Sequence, residues 1–394
     1  MKKSIIFAAL AAAAVAMPSC SSDDDVINNE GEGIRFSVYA GKTSRAVAVD
    51  DNSINKFHIW GVAANNKAGF FMNCDVTKVD GAWTYSPTKF WPQSNPVNFF
   101  AVSAGTKTGG YVDITGSVTP SYAEGVGGIE LKNYKVVDNA DLDVLYAAYY
   151  GAHKATGTVP LNFHHALSQL AFQAKCTNTD LTVYIKSIKV QNLCNQGSFA
   201  GPKATTQSWL SSDTGATTET GDSWGKWSGQ QGKVEYTAPF YGDANVALTA
   251  TAADYSKTAD GAYDGLLVLP QTITPWDCLS YGQAADLTGS RFLIECRILS
   301  GDATLGKTQI WPAENEKYAY VAIPVPAKTW KQGMRYVYTF NFNEGAGYTP
   351  DPDPEDPNDP DKPQPVLSKV KISVTVDEFQ NGGVIETVDM GTAN

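Results

Sequence analysis

Apolar and polar side chains alternate with a period of two along much of this chain, which leaves it few ways to fold. Successive side chains of a strand point to opposite faces, so such a segment buries its apolar face only by joining a sheet. The cleanest interior case is residues 181–190, where Leu181, Val183 and Ile185 share one face. Further short strands are expected at 54–62, 70–72, 83–85, 97–102 and 144–148. Turn chemistry separates them at Asp80-Gly81, Ser86-Pro87 and Ser94-Asn95-Pro96. No helical period longer than about two turns interrupts them. A second unit opens with 159–172, and strands are expected again at 245–250, 264–269, 291–299, 318–323 and 335–342. Many short strands at such spacing indicate antiparallel sandwiches rather than α/β units. The 394 residues suffice for two domains, and 35 Gly with 20 Pro suit the many turns between strands.

Two amphipathic strands stand apart at the ends. Near the start, Ile34, Phe36 and Val38 share a face, and Arg45-Ala46 follows a Gly-Lys-Thr-Ser turn. A cut after Arg45 separates this strand from everything downstream, so residues 34–38 are expected to form a removable plug. Upstream, Lys2-Lys3, an apolar run over 5–16 and a small-residue break before Cys20 read as a lipoprotein signal peptide at 1–19. The run is too short to span a bilayer. Cys20 is the expected lipid anchor, since two or three acyl chains hold where one binds only marginally; an ordinary signal peptide with an incidental cysteine is the alternative. Residues 350–365, PDPDPEDPNDPDKPQP, are expected to be a stiffened, solvated linker with polyproline character. Beyond them Val370, Ile372, Val374 and Val376 alternate with Lys371, Ser373 and Thr375. Detachable strands at both ends suit an assembly in which one subunit's strand completes another's sheet.

The chemistry-bearing motifs point away from catalysis. A net charge of -11 argues against nucleic acid and anionic membrane surfaces as partners. Residues 301–308 fit G-x-x-x-x-G-K-[ST], but Gln309-Ile310-Trp311-Pro312 is β-like where a phosphate-binding loop needs a helix. His164 and His165 are strand neighbours facing opposite ways, unsuited to sharing a metal. Asp141 and Asp143 share a strand face and are expected to be solvated at the surface. Cys74, Cys176, Cys194, Cys278 and Cys296 form no C-x-x-C; two disulfides or isolated thiols are both open. No catalytic residue, metal or cofactor is expected. The polar stretch 201–233 reads as a long, mobile insertion, and its Trp209, Trp224 and Trp227 are candidates for contacting a sugar or a protein, or else for packing on their own domain.

In order along the chain, these pieces resemble the fimbrillin-like (type V pilin, Mfa-like) family of Bacteroidetes surface lipoproteins. The resemblance rests on Cys20 with its Ser-Ser-Asp-Asp-Asp follow-on, IRFSV at 34–38, Ser44-Arg45-Ala46, Phe90-Trp91-Pro92 leading into NFFAVSA, and DLDVLYA at 141–147. It continues through VPLNFHHALSQLAF at 159–172, LVLPQ at 267–271, and Trp330 with KQGMRYVYTFNF. It implies an all-β chain of two tandem transthyretin-like antiparallel β-sandwich domains, at 47–155 and 156–349. These are flanked by a lipidated tether and removable strand (20–46), the linker (350–365) and a tethered donor-like strand region (366–394). It further implies export to the cell outer membrane surface as a lipid-anchored precursor, cleavage between Arg45 and Ala46 by an Arg-specific protease, and polymerisation with other fimbrial subunits by strand exchange. A host protein or glycan is the implied adhesive target. The competing reading is a lipid-anchored glycan-binding protein of a polysaccharide-uptake system, which keeps its acylated Cys20 and binds sugar through Trp224 or Trp227. A surface hydrolase is the third.

Overall fold

The computed structural model describes residues 33–39, 54–63, 72–92, 95–106, 110–120, 128–136, 142–153, 156–202, 225–277, 289–301, 306–343, 345–350, 365–367, 371–378 and 386–389. Among them the first strands are β1 (Arg35–Tyr39), β2 (Lys56–Ala63), β3 (Met72–Val79), β4 (Ala82–Thr84), β5 (Val97–Thr106), β6 (Val118–Pro120), β7 (Ile129–Lys135) and β8 (Leu142–Ala152). The middle of the chain adds β9 (Thr158–Asn162), β10 (His164–His165), β11 (Ser168–Lys175), β12 (Leu181–Ala200), β13 (Lys226–Thr237), β14 (Ala253–Asp254), β15 (Leu266–Val268) and β16 (Arg291–Ser300). Then come β17 (Thr308–Trp311), β18 (Ala319–Pro324), β19 (Met334–Asn341), β20 (Gly345–Tyr348), β21 (Pro365–Leu367), β22 (Lys371–Glu378) and β23 (Glu386–Asp389). The described chain is thus all β, apart from one short 3-10 turn at Thr115–Ser117.

The first sheet runs β10-β8-β5-β2-β3-β4. Alternation along β2 sends Phe57 and Ile59 to one face and Trp60 and Val62 to the other, and all four are buried. Both faces are therefore covered. Phe57, Ile59, Phe99, Ala101, Leu145 and Ala147 form a compact core with β1 and β9, which pair with each other as a parallel two-stranded ribbon. The opposite face joins a larger core that continues into the second sandwich.

That continuity comes from β12, twenty residues long. Its first half pairs with β16, and beyond an irregularity between Val190 and Leu193 its second half pairs with β13 and β7. Asn192 has φ 62 there, the left-handed conformation that asparagine tolerates and that bends a strand at a bulge. Phe199, near the far end, reaches the first sheet and packs its ring 4.8 Å from Tyr146. In the second sandwich the sheet β14-β11-β19-β22-β23, with β15 also on β11, faces β18-β16-β12. Phe292 fills the space between the sheets, 4.9 Å from Tyr338 and 5.2 Å from Phe340.

Several expectations change. Residues 245–250 form turns, not a strand: Asp243 Oδ1 accepts from the Asn245 amide at 2.8 Å, and Val246 is 61% exposed. The expected insertion ends in regular structure, because β13 begins at Lys226 and pairs along β12. Trp227 is accordingly not a surface residue. It is buried at 7% exposure, its indole Nε1 donates to Ala166 O at 2.6 Å, and its ring packs against Phe199 and Tyr134. Polar composition hid it, since at the start of its strand it is the one apolar residue between exposed Lys226 and Ser228 and a run of glycine and glutamine. Trp209 and Trp224 lie outside the described residues. Asp143, expected at the surface, is 2% exposed and accepts from or ion-pairs with His165 Nδ1 at 2.7 Å, because β10 lies against β8. The β-like reading of the residues after Lys307 holds: β17 follows Lys307 and pairs antiparallel with β16, with Gly306 at φ 92. The chain beyond the expected linker lies on the body rather than apart from it: β21 pairs with β20, Pro365 opposite Tyr348.

Trp227→Ala is expected to destabilise the protein by roughly 3–5 kcal/mol, the range for removing a buried tryptophan, measured by denaturant unfolding. A variant with unchanged stability and lost sugar binding would return this residue to a ligand-contacting role.

Candidate functional site

The two terminal strands share one sequence pattern, apolar side chains at alternate positions (three near the start, four near the end), and each has a distinct seat. In β1, Ile34 just ahead of the strand is 2% exposed and Phe36 5%, with Val38 packed on the same core and Arg35 turned outward. Phe36 sits in a box of rings: perpendicular to Phe99 at 5.4 Å, perpendicular to Phe57 at 6.2 Å, and tilted against Tyr85 at 5.8 Å. Edge-to-face contacts of this kind add to area burial. Burying side chains such as Ile34 and Phe36 contributes roughly 1.5–3 kcal/mol each.

The backbone of β1 has one continuous ladder. It pairs in parallel with β9, Phe36 opposite Val159 and Val38 opposite Leu161. On its other side contacts are confined to the beginning. The Ile34 amide donates to Lys89 O at 2.9 Å, Gly33 bridges Phe90, and the Tyr85 hydroxyl donates to Ile34 O at 2.8 Å. Burial pushes the Tyr85 phenol above its ordinary range, so it stays protonated and able to donate at neutral pH. The next described residue after Tyr39 is Ile54, itself 1% exposed. The covalent link between β1 and the body therefore passes through Arg45 and Ala46, which lie outside the described residues, as does Cys20.

At the other end β22 is seated in its own chain's second sandwich. It pairs antiparallel with β19 over eight positions, from Met334 opposite Glu378 to Asn341 opposite Lys371. Ile372 is 8% exposed, Val374 0% and Val376 7%, all in the larger core; Val370 lies outside the described residues. β23 covers the far side of β22. The strand expected at the end of a tether is thus an inner strand of the sheet.

At the pairing of β10 with β8, the buried His165–Asp143 pair is the main polar feature that pattern reading missed. The signal available was that Asp143 and Leu145 alternate along a strand later met by His164-His165; only the pairing of β10 with β8 reveals that both groups are buried. Cys74, Cys176, Cys194 and Cys296 are free thiols, and burial pushes the fully enclosed Cys296 thiol far up, which makes it unreactive. Cys278 lies outside the described residues. Among the described residues no three His, Cys, Asp or Glu side chains converge in a way that could hold a metal ion.

Comparison with solved structures gives distant likenesses. A fimbrial protein of Bacteroides vulgatus is 16% identical, with 88% of this chain and 99% of that chain covered and a TM-score of 0.47. Candidate cell adhesion proteins of Bacteroides uniformis and Bacteroides eggerthii are 13% and 12% identical, covering 88% and 89% of this chain and 98% and 97% of theirs, with TM-scores of 0.37 and 0.40. No curated protein matches the chain. The family model described as fimbrillin-like matches residues 44–355. That span runs from the residue before Arg45 through both sandwiches, and the chain belongs to the fimbrillin-like family.

Proposed function

We propose that this chain is a fimbrial subunit, of the shaft or the tip. In this reading it reaches the cell surface as a lipoprotein anchored through Cys20, is cut between Arg45 and Ala46, and assembles by β-strand exchange for adhesion to a host protein or glycan. It works without catalysis. The observation that carries the reading is the seat of β1. This strand fills a ring-lined slot, has one continuous ladder, and is joined to the body only through the segment containing Arg45. Its loss would uncover Phe57, Tyr85 and Phe99 and leave the β9 edge unpaired. An unpaired edge beside an apolar groove is adhesive, and each buried backbone group left unsatisfied costs roughly 1–3 kcal/mol. A strand with apolar residues at alternate positions would fill that slot. The region holding Val370, Ile372, Val374 and Val376 has that spacing.

Arginine placement supports a selective cut. Of the five arginines, Arg35 is in β1, Arg291 and Arg297 in β16 and Arg335 in β19, and both Arg291 and Arg335 are buried. A second reading is favoured by one observation, the complete pairing of β22 inside its own chain. A subunit that accepts a strand but keeps its own β22 would sit at the end of a fibre.

Protein recovered from the cell surface is expected to begin at Ala46 and to run as high-molecular-weight assemblies, while Arg45→Ala stays monomeric and begins at acylated Cys20. Wild-type protein still beginning at acylated Cys20 would overturn the reading and move the glycan-binding alternative ahead. Val374→Asp places a carboxylate at a fully enclosed position, and is expected to lower monomer stability by roughly 2–4 kcal/mol and to block assembly. Normal fibres built from that variant would assign the chain to the end of the fibre, with β22 kept at home.

A further inference from the structure

The outward face of the second sandwich carries cations interleaved with rings. Residues of β12, β16 and β18 that point away from the core form successive rows across the sheet. One row holds Lys189, Leu293, Ala322 and Tyr348, with Leu293 and Ala322 buried in a small cluster with Trp276, and the next holds Ser187, Glu295 and Tyr320. A third holds Tyr184 opposite Arg297, with Tyr318 beside them. The Arg297 guanidinium lies 4.5 Å from the centre of the Tyr184 ring and 5.4 Å from that of Tyr318. Lys189 lies over Tyr320 at 5.2 Å and Lys186 over Tyr318 at 5.8 Å. The two lysines have one carboxylate each, Glu235 and Glu295. Arg297 has none within ion-pair distance among the described residues, and its Nε is buried without a hydrogen-bond partner.

We propose that this face is the docking surface for the chain's own acidic proline segment, residues 351–364. Three observations favour that occupant. The first is chemical fit: proline-rich chain in polyproline form lays its rings on exposed aromatic faces, and carboxylates between the prolines supply the counter-charge for Arg297, Lys186 and Lys189. The sequence DPDPEDPNDPDKPQ offers both at short intervals. The second is where the segment starts and ends. Pro350 is held at the sheet's root, its carbonyl accepting from Arg291 Nη1 at 2.5 Å, and Pro365 is paired with Tyr348. The third is reach. Each half of the fourteen-residue excursion extends about 22 Å at about 3.1 Å per residue. The farthest row is about 20 Å away, three strand spacings across and about four residues along. The docking does not depend on strand exchange.

Zero-length carbodiimide coupling of the full chain, read by peptide mass spectrometry on the monomer fraction, tests this. Carboxylates of Asp353, Glu355, Asp356, Asp359 or Asp361 are expected to couple to Lys186 and Lys189. The Lys186–Glu295 and Lys189–Glu235 pairs, at 2.8 and 2.7 Å, serve as internal controls for an intact face. Arg297→Ala with Tyr318→Ala is expected to cut the segment's couplings at least threefold while the control couplings persist. The segment variant Asp353→Asn with Glu355→Gln, which leaves the folded face untouched, is expected to weaken coupling from the remaining carboxylates. Coupling of the segment only to Lys362 or to lysines elsewhere, or only between two copies of the chain, would overturn the proposal.

Discussion

One strand, β12, determines how the two sandwiches relate. Val183, Ile185, Ile188 and Val190 on its first half and Leu193 and Phe199 on its second lie within one continuous core, and Phe199 reaches Tyr146 of the first sheet. A twenty-residue strand is far longer than usual, and its pairing shifts at the irregularities let one alternating face serve two differently oriented neighbours. The consequence is an asymmetry between cores. The first sheet is held on its outer face by the β12-centred core and on its inner face by the smaller core that contains β1. Withdrawing β1 therefore damages one face of one sheet and leaves the connection between the sandwiches intact.

That asymmetry gives the two terminal strands different standing despite similar sequences. β1 has a continuous ladder on one side only, and that ladder is parallel, the slightly weaker geometry per residue. β22 is paired on both sides by antiparallel neighbours. β22 buries Ile372, Val374 and Val376, and β1 with the residue before it buries Ile34 and Phe36, with Val38 half-buried, so the hydrophobic terms are of the same order; the backbone pairing separates them more. For β22 to leave home it must break two ladders, and filling a vacated β1 slot would restore fewer bonds. Strand exchange by this chain thus requires a further driving term, such as the unsatisfied edge in the acceptor. A fibre-end position requires none.

Alternation was readable wherever one face is solvated. It located β12, β16 and β19 and both terminal strands, because Lys371, Ser373 and Thr375 mark the outward side of β22 as Lys186 does for β12. It failed where burial comes from a partner far away in sequence. Trp227 sits among lysine, serine and glycine, and its burial is decided by Phe199 and Ala166 across two strand pairings. Asp143 and His165 are each polar and become core residues only as a pair. The linker misled for a related reason: its composition forbids a sheet ladder within it, yet says nothing about where its ends lie. The return of Pro365 to Tyr348 is a tertiary fact. Leu248 in the supposed strand at 245–250 is buried as a strand residue would be, and its amide reaches Val183 O, but Asp243 caps a turn before a strand can form.

The arginines follow a physical logic that bears on the proposed processing. Lysine and arginine total 30, of which five are arginine, so lysine supplies nearly every solvated cation. The arginines of the two sandwiches are held by rings and amides. Arg291 lies over Trp276 and is bound by Gln191, Arg335 lies over Tyr263 and is bound by Gln169, and Arg297 lies against Tyr184 and Tyr318. A planar guanidinium suits such stacking better than an ammonium does. A protease that requires arginine must take both the side chain and an extended backbone into its cleft, and these three offer neither while β16 and β19 remain paired. Arg35 is spoken for by the β1 ladder. For the proposed cut after Arg45, selectivity would need no sequence motif around it; it would follow from how the fold uses the other four arginines.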